Sequence, residues 1–184
     1  MHPILKKLAG GNRGSIGRSN EVVALVLAYP AYFPDLFEGL SSDDPVIRMR
    51  VADAVEKISA QRAELLQPFK RKLLAIASGS TQQEVRWHAA LILPRVTLTS
   101  KERAVALDIL FEYLRDKSSI VKTFAMQAIW DLAASDPKRK AQIIPLIEEL
   151  AFVGTPAMPM PHVPRCVLGD SRSFARSRSS IPIP

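Results

Sequence analysis

One helical pattern occurs three times in this chain, at residues 47–58, 85–96 and 121–132. The copies align without gaps and begin 38 and 36 residues apart. In each copy the first, fifth, eighth, ninth and twelfth places are apolar, which is the spacing of one face of an α-helix. A repeat of this length is the signature of stacked helical units, so it constrains the fold more than any other feature.

Helix-start signals precede each copy. Asp44 is placed to cap a helix whose first residue is Pro45. Thr81 and Glu84 have the spacing of a capping box, and the pair Ser118–Ser119 precedes the third copy. The three copies are therefore predicted to be separate helices.

Further helices are predicted between and around the copies. Their apolar spacing places them at residues 21–29, 34–40, 62–77, 100–115 and 136–150. Thr99 and Glu102 have the spacing of a capping box at the start of the helix at 100–115. Pro94 should kink or end the second copy. No alternating strand pattern of useful length is present, so the predicted fold class is all-α.

The opening of each copy resembles the second helix of a HEAT repeat. An aliphatic residue is followed by a basic one in Ile47-Arg48, Val85-Arg86 and Val121-Lys122, and Pro34 matches a proline common in the first helix. The resemblance covers residues 30–150, although the repeat is shorter than the usual HEAT length of about 40 to 47 residues. It implies a right-handed α-solenoid of three to four antiparallel helix pairs, with second helices on the concave side. Such proteins are mostly scaffolds.

Charge divides the chain into three segments. Residues 1–19 carry four basic side chains and no acid, residues 20–151 carry 17 basic and 17 acidic ones, and residues 152–184 carry four arginines and one aspartate. Dense proline in the last segment disfavours helix. We therefore expect a flexible basic lead at 1–19, a HEAT-like domain at 20–151 and a disordered tail at 152–184.

The neutral domain limits the partners to expect. It lacks the excess positive charge that drives counterion release from nucleic acid, so nucleic-acid contact is expected only through the basic tails. No apolar stretch approaches the ~20 residues of a membrane span, and residues 1–18 do not read as a secretory signal. The sequence thus favours a cytoplasmic protein with a protein partner.

A candidate partner-binding face lies about 200° from the buried face of each copy. Large apolar and aromatic side chains on such a face resemble interface anchors, so this face is expected to be exposed and to bind a protein. The predicted binding residues are Met49, Asp53, Trp87, Leu91, Thr123, Gln127 and Trp130.

Residues for catalysis or metal binding are sparse. His88 is the only histidine outside the tails and Cys166 the only cysteine, so no metal site, cofactor site or nucleophile–base pair can be assembled. His88 is expected to be solvated. The lysines and arginines that open the copies, Arg48, Arg86 and Lys122, are expected to form a structural ladder. The prediction is a protein that is not an enzyme.

Two alternatives stay open. The HEAT-like DNA alkylation-repair glycosylases use tryptophans and an aspartate on the concave face, and Trp87, Trp130 and either Asp131 or Asp53 would be the counterparts. The neutral domain speaks against this, because that activity needs a cationic groove for phosphates. The bilin-lyase-like HEAT proteins share the repeat with this chain and no further residue pattern.

Overall fold

The computed structural model describes residues 1–133, 141 and 143–145 of the chain. These residues form helices and connecting turns, and no strand occurs among them, so the prediction of an all-α fold is confirmed. The α-helices are α1 (Pro3–Lys6), α2 (Ser19–Ala28), α3 (Phe33–Glu38), α4 (Pro45–Ser59), α5 (Lys70–Gly79), α6 (Gln83–Ile92), α7 (Ser100–Tyr113) and α8 (Ser119–Ala133). Short 3-10 helices join several of them, at Pro30–Tyr32, Gly39–Ser41, Ala63–Phe69 and Leu93–Arg95.

The even-numbered helices pack side by side in one row. Helix α2 contacts α4, α4 contacts α6, and α6 contacts α8. Each of α3, α5 and α7 packs on the even helix that follows it, while α1 contacts α3 and α5 contacts α7. The three repeat copies are therefore adjacent helices, and the core lies between them and the odd-numbered helices.

Large apolar side chains fill that core. Phe33, Phe37, Ile47, Leu66 and Leu110 are at most 1% exposed. The rings of Phe33 and Phe37 lie 5.7 and 4.8 Å from the ring of Phe69, which joins α3 to the segment preceding α5. Burial of apolar area on this scale is the main stabilising term of the fold.

Two helix starts follow the predicted capping chemistry. Asp44 is the N-cap of α4, where Oδ1 accepts the Val46 backbone N–H at 2.8 Å and Pro45 stands in the first turn. Thr99 and Glu102 form a complete capping box at the start of α7. Helix α6 ends at Ile92 and a 3-10 turn containing Pro94 follows, as predicted for that proline.

Two other helix boundaries differ from the prediction. Thr81 does not cap α6, whose N-cap is Gln82 without a side-chain capping bond, and Glu84 is buried instead of closing a capping box. The single helix predicted at 62–77 is divided into the 3-10 helix Ala63–Phe69 and helix α5. Pro68 explains the division, because a proline inside a helix lacks the N–H for the i to i−4 bond.

Two members of the predicted structural ladder, Arg48 and Arg86, make the expected bonds within the chain. Arg48 Nη1 donates to the Ser42 carbonyl at 2.6 Å, and Nε donates to Oε1 of Gln82, directly before α6, at 2.9 Å. Arg86 Nε likewise donates to the Ser80 carbonyl at 2.7 Å, while Nη1 pairs with Asp116 at 2.5 Å. Each guanidinium thus ties the loop before its own helix to the loop before the next even-numbered helix.

The N-terminal residues differ from the predicted flexible lead. Ile4, Leu5 and Leu8 are buried and belong to the hydrophobic core, and Gly39 lies so close to Leu5 that an added Cβ would come within 2.6 Å of it. The folded unit therefore includes residues 1–19. The prediction missed this because it weighed the charge of the segment above its short apolar run.

The remaining sequence predictions fall partly outside the described residues. The helix predicted at 136–150 and the tail at 152–184 lie there, apart from residues 141 and 143–145. Within the described part of the chain, no helix combines the length and the apolar character needed to cross a membrane.

Candidate partner-binding face

The predicted binding residues divide into a buried and an open group. Met49 and Asp53 on α4 are 6% and 8% exposed, so the prediction that this part of the face is exposed was wrong. The residues on α6 and α8 are half-buried and partly reach solvent: Trp87, Leu91, Thr123, Gln127 and Trp130. We call this open part the α6–α8 face.

Residues 9–18, here the N-terminal segment, are held against α4 by Arg50. The buried Arg50 guanidinium donates to the carbonyls of Leu8 and Gly10 at 2.7 and 2.6 Å through Nη1. It also donates to Ser15 O at 3.0 Å through Nε and to Asn12 O at 3.3 Å through Nη2. One buried cation therefore holds four backbone carbonyls between Leu8 and Ser15.

Glycines allow the segment to wrap around Arg50. Gly10, Gly11 and Gly17 have φ values of +80°, +76° and +54°, which favour glycine. A Cβ at Gly17 would lie 2.7 Å from Arg50 Cζ. The carbonyls of the segment turn towards an internal cation, and its glycines serve this wrapping.

Asp53 is occupied by contacts within the chain. Its carboxylate accepts a hydrogen bond from Ser19 Oγ and pairs with Lys57 Nζ at 2.8 Å. Lys57 Nζ also donates to Asn20 Oδ1 at 2.8 Å. These bonds tie the start of α2 to α4 and account for the burial of Asp53.

Glu84 and His88 form a buried polar pair one turn apart on α6. Glu84 is 7% exposed and His88 9%. Among the described residues, neither Glu84 Oε2 nor His88 Nδ1 has a hydrogen-bond partner. Arg13 of the N-terminal segment approaches the other carboxylate oxygen, with Nη1 3.9 Å from Glu84 Oε1.

His88 is buried, which corrects the prediction of a solvated side chain. Burial lowers the pKa of its imidazole, and the nearby carboxylates of Asp53 and Glu56 oppose that shift only in part. The ring lies 5.4 Å from the Trp87 ring. We therefore expect His88 to be neutral at physiological pH.

The α6–α8 face combines aromatic and polar side chains. Trp87 and Trp130 are half-buried and pack against the core along part of their surface. Gln127 Nε2 donates to Asp131 Oδ1 at 2.8 Å, and Thr123 Oγ1 donates to the Ser119 carbonyl at 2.9 Å. Such a surface offers area for apolar contact together with hydrogen-bonding groups.

Sequence reasoning missed Glu84 and His88 as buried polar residues of α6, and Arg50 as the residue of α4 that holds the N-terminal segment. The repeat alignment contained a signal for the first, since Glu84 occupies a place that is Val46 and Ile120 in the other copies. A charged residue at an otherwise apolar register position therefore indicates a candidate functional residue. Arg50 and His88 likewise share one register position.

No metal site and no family assignment emerges for this face. Within the residues that the structure describes, no group of three or more His, Cys, Asp or Glu side chains is arranged to hold a metal ion. The chain matches no protein-family model, and no curated protein or solved structure matches it.

Proposed function

We propose that this protein is a non-catalytic interaction scaffold that binds a protein partner through the α6–α8 face. In this proposal the helices form a HEAT-like, right-handed α-solenoid of three to four antiparallel pairs, and the even-numbered helices line its concave side. The protein is proposed to act in the cytoplasm.

The packing of the described helices supports the solenoid. The even-numbered helices are neighbours in chain order, as stacked repeats require. Arg48 and Arg86 make equivalent bonds from successive units, each to a carbonyl six residues earlier and to a side chain of the next unit. Equal contacts at equal register positions are what repeated units produce.

The partly exposed tryptophans carry the binding proposal. Trp87 and Trp130 are the only tryptophans in the sequence, and both lie on adjacent helices of the same row. Trp is enriched among the residues that contribute most to protein–protein binding. A side chain that is half-packed loses little further entropy on binding.

Affinity capture tests the proposal. Full-length protein, the variant Trp87→Ala/Trp130→Ala and a matched control are used to capture proteins from a lysate of the source cells. We expect the double variant to lose a specific partner by at least about tenfold, since one interface hot spot is worth about 2 kcal/mol or more.

Phe111→Ala is the matched control. Phe111 is a half-buried aromatic on α7 that also packs against the core, but it lies in the other row of helices. Its truncation should cost comparable packing energy and leave capture intact. Capture that is unchanged in the double tryptophan variant, or equally reduced in Phe111→Ala, would contradict the proposal.

The glycosylase alternative predicts a different outcome. It requires an aspartate available to a substrate, whereas Asp53 is bound by Ser19 and Lys57, and Asp131 accepts a bond from Gln127. It also predicts salt-sensitive binding to duplex DNA. Such binding, if lost in the double tryptophan variant, would favour the glycosylase over the scaffold.

A further inference from the structure

The N-terminal segment places a cation at the edge of the α6–α8 face. Arg13 Nη1 lies 3.9 Å from Glu84 Oε1, which is near the outer limit of an ion pair. The Arg13 side chain is 56% exposed, whereas that of Glu84 is 9% exposed. The guanidinium therefore reaches the carboxylate from solvent and pairs with it only loosely.

Glu84 retains unused capacity to accept hydrogen bonds. Its Oε2 atom is buried and accepts none among the described residues. A buried carboxylate oxygen without a donor is unfavourable, because it has lost water and gained no replacement. A guanidinium that approached in the plane of the carboxylate would donate to both oxygens at once.

An irregular segment of the chain itself is bound next to this point. Arg50 holds the backbone carbonyls of the N-terminal segment on α4, and Arg13 extends that segment to α6. His88 stands on α6 at the register position of Arg50, with its Nδ1 atom unpaired among the described residues. Residues 9–18 thus bring irregular backbone and one arginine side chain to this row of helices.

We propose that Glu84 is a cation subsite that receives an arginine side chain from an irregular segment of the partner, in place of Arg13. The identity of this ligand as part of a protein rests on the proposed function. The N-terminal segment then acts as an internal mimic of the partner, and Arg13 competes with it for Glu84.

A small-molecule binding experiment tests the Glu84 subsite in the full-length chain. The probe is N-acetyl-arginine amide, and N-acetyl-citrulline amide is the neutral control of nearly equal shape. Binding is followed by NMR through the His88 imidazole and Trp87 indole signals. We expect Arg13→Ala to bind the arginine probe at least about fivefold more tightly than wild type, because the competing cation is gone.

The charge of Glu84 should decide that binding. Arg13→Ala/Glu84→Gln is expected to lose the arginine probe, and the citrulline probe should bind neither variant. Arg13→Ala/Glu84→Asp provides a second variant that retains the charge on a shorter side chain, and it should show intermediate binding. Near-native tryptophan emission of each variant confirms that it is folded.

Two results would overturn the subsite. One is equal binding of the arginine probe with and without the Glu84 carboxylate, and the other is no binding to Arg13→Ala. Either result leaves the tryptophan test of the scaffold untouched. Conversely, partner capture that does not depend on the two tryptophans would contradict the scaffold proposal. Binding of the arginine probe would still show whether Glu84 accepts a cation.

Discussion

Helix α4 and the α6–α8 face belong to the same row of helices. Side chains at the same position of the repeat are buried on α4 and partly exposed on α6 and α8. On α4, Met49 and Asp53 are buried, and Asp53 accepts a hydrogen bond from Ser19 at the start of α2. On α6 and α8, the equivalent Trp87 and Gln127 remain partly exposed. Position within a repeat therefore sets which way a side chain points, but the flanking chain decides whether solvent reaches it.

The comparison also separates two uses of a polar side chain. Arg50 and Asp53 make several hydrogen bonds within the chain. Glu84 and His88 each keep a polar atom without a partner among the described residues. Because most buried polar groups in proteins are hydrogen-bonded, the unpaired atoms of Glu84 and His88 are the exceptions that call for an explanation.

The largest effect is expected for Arg50→Met. The variant removes the donor to four backbone carbonyls, so the N-terminal segment should detach from α4. We expect the free energy of unfolding to fall by about 3 kcal/mol, as for the loss of several hydrogen bonds to a buried charge. Urea denaturation measures the change.

Arg115→Ala serves as the control for Arg50. Arg115 pairs with Glu112 at the surface and is 75% exposed, so its removal should cost about 0.5 kcal/mol or less. Equal stability changes in the two variants would show that residues 9–18 are not held by Arg50.

Asp53 and Gln127 occupy the same repeat position, so variants of the two compare α4 with α8 directly. Asp53→Ala should cost about 2 kcal/mol, because Ser19 and Lys57 lose a buried acceptor. Gln127→Ala stands at the same repeat position on α8 and should cost about 0.5 kcal/mol or less. Thermal unfolding of the two variants checks this, and equal costs would mean that the faces of α4 and α8 are covered alike.

Much of the helical framework could be predicted from the sequence. The caps at Asp44 and Thr99 depend on neighbouring residues, and so does the helix end at Pro94, so local rules were sufficient. The break at Pro68 was missed because the apolar spacing continued through it, although the backbone could not.

The candidate site was less predictable, because burial depends on residues far away in sequence. Arg50 bonds Leu8, 42 residues earlier, and Asp53 bonds Ser19, 34 residues earlier. Periodicity within a helix carries no information on such contacts. The burial of Glu84 was hidden because its spacing from Thr81 also fitted a capping box.

Gly17→Ala tests the closeness of the N-terminal segment to Arg50. Both Gly10 and Gly17 have positive φ, but only at Gly17 would a Cβ collide with the Arg50 guanidinium. Gly10→Ala should cost about 1 kcal/mol from backbone strain alone, and Gly17→Ala about 1 kcal/mol more. Denaturant midpoints of the two variants give the difference, and equal values would argue against the close approach.

The smallest effect is a pH dependence that originates in His88. Because burial lowers its pKa in the folded protein, the unfolded chain binds the proton more readily. The contribution of neutral His88 is therefore complete above the ordinary histidine pKa of about 6.5 and is lost as the pH falls through the lowered value. Wild type should lose stability between pH 7 and pH 5 more steeply than His88→Gln.

Parallel pH profiles of wild type and His88→Gln would contradict the burial of His88. His2 and His162 are present in both proteins, so they cancel in the difference. Urea denaturation at each pH provides the free energies to compare.

Tryptophan emission gives the most direct test of the α6–α8 face, since Trp87 and Trp130 are the only tryptophans of the chain. A captured partner, or a tryptophan-free fragment of it, is titrated into the full-length protein while emission and acrylamide quenching are recorded. Binding at this face should shift the emission to shorter wavelength and reduce quenching, because both rings lose contact with water. Saturated binding with unchanged emission and quenching would place the partner elsewhere on the molecule.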